Sequence, residues 1–219
     1  MSDDIILIDK PAGMTSFGVV ARIRRVLSQK AGKKVKVGHT GTLDPFATGL
    51  MILVVGKECK NAQSYSKLDK TYEATIHLGQ TSTTGDPEGE IASVSLKKPT
   101  IDQVQATLSQ FVGEIQQQPP IFSAIKINGQ RAYKLARDGE KIDMPLRFVT
   151  IHSLELISYE YPEVKIRTHV SSGTYIRTLA TDIGAILEVG AYCTSLRRTS
   201  ISSWSIAQAK TLSDYGVNS

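Results

Sequence analysis

Cysteine is nearly absent from this chain of 219 residues. Its two copies, Cys59 and Cys193, form no CxxC pair, which excludes a disulfide framework and a thiolate zinc knot. The four histidines, His39, His77, His152 and His169, never fall at HxxxH or another metal-ligand spacing, so the spacing argues for no metal. No apolar run exceeds Leu50-Met51-Ile52-Leu53-Val54-Val55, far short of the roughly 20 residues that span a bilayer. That run reads as a buried strand. The start, Met1-Ser2-Asp3-Asp4, is acidic and has the wrong polarity for a secretory signal, so a cytoplasmic protein without a membrane partner is expected. Acid is then scarce: between Asp9 and Glu58 the sole carboxylate is Asp44.

What is present is ordinary core material, 41% hydrophobic and 21% charged, enough for one good-sized core or two small ones. The net charge of +5 is a weak sign of an anionic partner. Its distribution says more. Arg22, Arg24, Arg25, Lys30, Lys33, Lys34 and Lys36 follow one another without an acid, which fits a solvated helix end or a phosphate-contacting patch.

Ile5 to Asp9 reads as a first strand, closed by the turn Lys10-Pro11-Ala12-Gly13. Thr15 or Ser16 caps a helix with the stripe Phe17, Val20, Ile23 and Leu27. A glycine-rich loop from Gly38 to Pro45 leads to the apolar strand. Residues 71–79 form a strand with Tyr72, Ala74, Ile76 and Leu78 on one face, and Gln80 to Glu90 a polar loop. Thr100 and Gln103 make a capping box for a helix carrying Val104, Leu108, Phe111 and Val112, stopped by Gly113.

Gln116 to Arg147 is an irregular, charge-rich excursion with a strand at Ser123–Ile127, a turn at Asn128-Gly129 and a helix near Arg131–Asp138. Strands return at 149–158 and 163–170. Ser171-Ser172-Gly173 opens a helix with the stripe Ile176, Leu179, Ala180, Ile183 and Leu187, and a last strand lies near Arg197 to Ile206. Strands and helices mix without βα alternation, so the expected class is α+β.

Asp44 is the carboxylate with the most unusual setting. Surrounding lysines and arginines favour its ionised, nucleophile-ready form, and Gly38, Gly41, Pro45 and Gly49 give its loop a tight path. An Asp that merely turns the chain before Pro45 is the alternative. Arg177 falls in the first turn of its helix, where the dipole opposes a cation by roughly 0.3–1 kcal/mol, so a nearby anion (Asp44 or a phosphate) would offset the cost. Tyr72 is either core or a base-stacking ring. His39 reads as a stacking wedge, a proton carrier or a plain loop histidine. Lys10 and Pro11 support the site or only make a turn.

Together these segments closely resemble the TruB-type tRNA pseudouridine-55 synthases. The match begins at Ile8-Asp9-Lys10-Pro11-Ala12-Gly13-Met14-Thr15-Ser16 and is most specific from Gly38-His39-Thr40-Gly41-Thr42-Leu43-Asp44-Pro45 to Leu50, the family's catalytic-Asp motif. It continues through Lys70-Thr71-Tyr72, Leu78-Gly79-Gln80 to Asp86, Gln118-Pro119-Pro120 to Lys126, Gly173-Thr174-Tyr175-Ile176-Arg177 and Leu196-Arg197-Arg198-Thr199. The resemblance implies the pseudouridine synthase fold: a mixed, mainly antiparallel central sheet flanked by helices. It implies one catalytic domain over 1–219, with a thumb loop at about 116–147 that grips RNA. Bacterial members usually continue into a C-terminal domain of the PUA kind, and the stretch after the last strand is too short for one.

The implied reaction turns uridine 55 of the tRNA T loop into pseudouridine without cofactor or metal. The base must be flipped out of its stack. Asp44 would be the catalytic nucleophile, held ionised by Arg177. His39 would fill the vacated space, Tyr72 would stack on the uracil, and Leu196 would exclude water. Lys10 joins this set as a substrate-side residue. The expected partner is the T-arm of tRNA, and a monomer is expected because no sustained apolar stripe asks for a second copy. The rival reading is a non-catalytic module on the same fold that binds or folds tRNA.

Overall fold

The computed structural model describes residues 5–123, 125–127, 129–139 and 142–217. Ala124 of the expected 123–127 strand and Asn128 of the expected turn therefore lie outside the described residues. The chain divides into two compact units, one of residues 1–72 and 197–219, the other of 73–196.

In chain order the first unit begins with β1 (Ile5–Lys10), α1 (Ser16–Ala31), β2 (Val37–His39), β3 (Thr48–Val55) and α2 (Ala62–Ser66). Strand β4 (Lys70–Leu78) then runs into the second unit. β3 is the hub. It pairs antiparallel with β1 from Ile5↔Val54 to Lys10↔Gly49, and with β2 at His39↔Leu53. Gly49 to Val54 are all buried, which is why β3 reads as an unbroken apolar run rather than an alternation. Leu50 and Ile52 pack with Ile201, and Ile5, Leu7, Leu68 and Trp204 cover them.

Thr15 caps α1 by accepting the Gly18 N–H at 3.0 Å, and Gly32 ends the helix in the left-handed region. The buried face is Ser16, Val19, Val20 and Ile23, whereas Phe17 is 63% exposed. The expected stripe was thus wrong at Phe17. The Ser16 hydroxyl is bonded to both the N–H and the C=O of Leu43, so it must face inward, and that turns Phe17 roughly 100° away.

The second unit holds β5 (Gln80–Ser82), β6 (Ile91–Ser93), α3 (Ile101–Ser109), β7 (Gly113–Gln117), β8 (Lys126–Ile127), β9 (Gln130–Arg131), α4 (Ala132–Arg137), β10 (Arg147–Glu160), β11 (Glu163–Val170) and α5 (Ile176–Ile186). Strand β12 (Ala191–Ile201) returns to the first unit, where β13 (Trp204–Ser205) pairs with it. Its strands lie in the order β12-β4-β11-β10-β7, with β10 antiparallel to both β11 and β7. β12 runs parallel to β3 where Arg197 pairs with Thr48, which makes the sheet mixed. The class is α+β, as the sequence predicts.

Several boundaries differ from expectation. Gln80–Glu90 is not all loop, because Gln80–Ser82 pairs with Ile91–Ser93. β12 starts at Ala191 rather than near Arg197, and β7 occupies the start of the expected excursion. The Thr100/Gln103 capping box is present, but Val112 is 49% exposed beyond the helix end. α5 begins only at Ile176, and a Cβ on its Gly184 would lie 2.4 Å from the Ala191 nitrogen, so helix and strand meet there without a side chain between them. Among the described residues, no helix is long and apolar enough to cross a membrane.

Asp182 on α5 carries a local cost. Burial raises its carboxyl from the ordinary 3.8 to about 6. The folded state therefore holds this proton more tightly than the unfolded chain does. Its contribution is fully present below about pH 4 and lost as pH rises through 6. Asp182→Asn is expected to stabilise the protein at pH 7.5 by about 1–3 kcal/mol. That gain should vanish by pH 4, as denaturant titrations at the two pH values would read. A gain independent of pH would refute this origin.

Candidate active site

In the first unit, the segment from Val37 to Val55 is a hairpin whose connecting loop, residues 40–47, carries Asp44. Each flank of Asp44 is tied down. Leu43 donates its N–H to the Ser16 hydroxyl at 2.8 Å and accepts that hydroxyl's proton at 2.9 Å. The Pro45 carbonyl accepts from the Gly13 N–H at 2.8 Å and from Lys10 Nζ at 3.1 Å. The Asp44 carbonyl accepts the Ala47 N–H at 3.2 Å. These bonds fix the backbone path on both sides of Asp44.

Lys10 is fully buried, and its ammonium also donates to the carbonyls of Pro11 at 2.8 Å and Met14 at 2.6 Å. Through the Pro45 carbonyl Lys10 braces the Asp44 loop. Arg198, 1% exposed, is a brace that the sequence reading did not single out. Its Nε donates to the Leu50 carbonyl at 2.7 Å and its Nη2 to the Gly41 carbonyl at 3.1 Å. Gly49 is required for this: its φ is +107°, and a Cβ there would sit 2.3 Å from the Arg198 carbonyl oxygen. The neighbouring Arg197 pairs with Asp9 at 2.7 Å.

His39 is half-buried at the end of β2. Tyr72 is buried on the inward face of β4, as its alternation predicts. Two residues earlier Lys70 donates to the carbonyls of Ser66, at 2.7 Å, and Leu68. Burial, reinforced by the Arg198 charge and opposed by Asp69, lowers Lys70 to about 8.

In the second unit, Arg177 occupies the first turn of α5 and is 4% exposed. One anion that offsets that position is Asp86. Arg177 Nη1 donates to Asp86 Oδ2 at 3.0 Å and to the Thr84 carbonyl at 2.9 Å, and Nη2 donates to the Phe122 carbonyl at 2.8 Å. Asp86 Oδ1 accepts from the Thr84 hydroxyl at 2.6 Å and the Glu88 N–H at 3.0 Å, so both its oxygens are used. Asp86 was missed as a partner, although it closes the Thr-rich motif; its carboxylate among Thr and Gly was the available signal. Gln117 pins the start of α5, accepting the Tyr175 N–H at 3.0 Å. Leu196 is buried on β12. Lys10, His39, Asp44 and Tyr72 thus belong to the first unit, and Arg177 and Leu196 to the second.

Residues 24–176 match the TruB family pseudouridylate synthase N-terminal domain. The chain is 46% identical over 210 residues to a tRNA pseudouridine synthase B of Azoarcus sp. (strain BH72), spanning 96% of this chain and 68% of that protein. It is 42% identical to the enzyme of the same name from Opitutus terrae, spanning 96% and 86% of the two chains. Among solved structures, a chain in a Cbf5-Nop10-Gar1 complex superposes with a TM-score of 0.74 at 31% identity. There 96% of this chain is covered and 52% of the other, so this chain spans about half the length of that protein. A crystal structure described as a pseudouridylate synthase, at 14% identity and a TM-score of 0.50, shares the fold. The chain belongs to the TruB family of pseudouridylate synthases.

Proposed function

We propose that the protein isomerises uridine to pseudouridine in tRNA, at position 55 of the T loop. The observation that carries this reading is the Asp44 loop, braced by Ser16, Lys10 and Arg198 within a chain that closely resembles enzymes named tRNA pseudouridine synthase B. Asp44 is the nucleophile that frees the uracil from the ribose. The N1–C1′ bond breaks, the ring turns, a C5–C1′ bond forms, C5 loses its proton and N1 gains one. Substrate and product have the same atoms, as an isomerisation requires. Tyr72 stacks on the flipped base, His39 fills the space it leaves, and Leu196 keeps water away. Arg177 contributes positive charge at the substrate, and Lys10 acts through the loop it braces.

The T-arm is the proposed recognition element, and residues at about 116–147 are the proposed grip on it. The protein acts as a cytoplasmic monomer without a metal. Tritium release from tRNA labelled at uridine C5 tests the reading. Release is expected from a folded T-arm and not from a scrambled RNA of equal length, because specificity lies in shape rather than in charge. Equal affinity for both RNAs and release from neither would replace the isomerase by an RNA-binding module.

A further inference from the structure

α1 leads away from the Asp44 loop. Its first residue is tied to Leu43, and its 16 residues extend about 24 Å from that anchor. Along this length and just past it, no acid occurs between Asp9 and Asp44. A helix face that is merely solvated usually mixes signs and forms i,i+4 ion pairs. Here Arg25, Lys30, Lys33 and Lys34 are exposed, and among the described residues none of them has an ion-pair partner. On the flank of the same helix Phe17 stands 63% exposed, with the Arg24 guanidinium carbon 5.8 Å from its ring centroid. An exposed ring backed by a guanidinium is a platform on which a base can stack, and stacking distinguishes RNA from other polyanions.

We infer that α1 and the turn that follows it form a second RNA-binding surface, in which Phe17 and Arg24 stack on a base and Arg25, Lys30, Lys33 and Lys34 contact phosphates of the tRNA outside the reacting loop. The inference rests on the proposed activity. The far end of the surface lies too distant from the Asp44 anchor for the loop alone to fill it, so its substrate is the larger folded tRNA.

The test compares full-length tRNA with an isolated T-arm hairpin, using the whole chain, two loss variants and one conservative replacement, all with thermal midpoints that match the parent. In the triple variant Lys30→Gln, Lys33→Gln, Lys34→Gln, affinity for tRNA is expected to fall roughly tenfold or more near 0.15 M salt. The slope of log affinity against log salt should shrink by about two to three, while the hairpin loses far less. Phe17→Ala is expected to lose roughly fivefold to a hundredfold in tRNA affinity with an unchanged slope, and Phe17→Trp to retain it. If both variants bind tRNA like the parent, or lose hairpin and tRNA equally, the surface is refuted. A parent protein that binds tRNA but releases no tritium refutes the proposed activity instead, so the two failures are separable. If the triple variant loses affinity for anionic vesicles while tRNA binding is unmoved, the surface serves something other than RNA.

Discussion

Asp44→Asn is expected to lower tritium release from C5-labelled tRNA by at least about four orders of magnitude while leaving tRNA affinity within a few-fold. Asparagine preserves volume and hydrogen-bonding shape but removes the negative charge and the nucleophilic oxygen. The braces of the loop run through backbone atoms of residues 41, 43 and 45 to Arg198, Ser16 and Lys10, so the loop keeps its path in the variant. A loss of turnover with an unchanged melting curve would therefore be chemical. Single-turnover assays at saturating enzyme separate it from a binding defect. Activity within tenfold of the parent would remove Asp44 from the reaction and restore the binding-module reading.

The second large effect is on stability. Arg177 and Asp86 are each about 5% exposed at the side chain and 3.0 Å apart. Asp86→Ala takes a carboxylate away from the buried guanidinium, which keeps the Thr84 and Phe122 carbonyls among its acceptors. Removing one partner of such a pair costs about 3–5 kcal/mol, which for a protein of this size is a fall of roughly 6–20 °C in Tm. The double variant Asp86→Leu, Arg177→Met takes both charges out together and is expected to recover most of that stability. It should recover none of the activity if Arg177 serves the substrate. A single variant that melts within a degree of the parent would mean that water reaches the pair.

The sequence displayed the elements whose chemistry is local. The Thr100 capping box, the inward face of β4 and the apolar β3 all depend on residues within a few positions of one another. Asp44 stood out in the sequence because a lone carboxylate in a basic, glycine-rich segment is unusual, and the family resemblance then favoured the functional reading. What escaped depends on distant partners. Phe17 fits the helical stripe as well as Ser16 does, until Leu43, 27 residues away, claims the Ser16 hydroxyl. The Gln80–Ser82 strand is too short and polar to be seen without Ile91–Ser93 beside it. Asp86 and Arg177 are 91 residues apart, so no local rule pairs them. Arg198 appeared in a motif, but its role exists only where β12 meets β3.

That meeting has a consequence for the order of events during synthesis. Arg198 reaches the Gly41 carbonyl across 157 residues of chain. At a translation rate of 5–20 residues per second, the Asp44 loop waits about 8–30 seconds for its brace to be made. Most of the intervening residues, 73–196, are contiguous and form their own unit, in which the Thr194 hydroxyl donates to the Thr75 carbonyl at 3.2 Å and brings the two ends together. Once that unit has folded, the closing segment has only a short gap to bridge instead of a long coil, and the entropic cost of closure falls accordingly. The brace on the Asp44 loop is thus completed only after the unit of residues 73–196 has been synthesised.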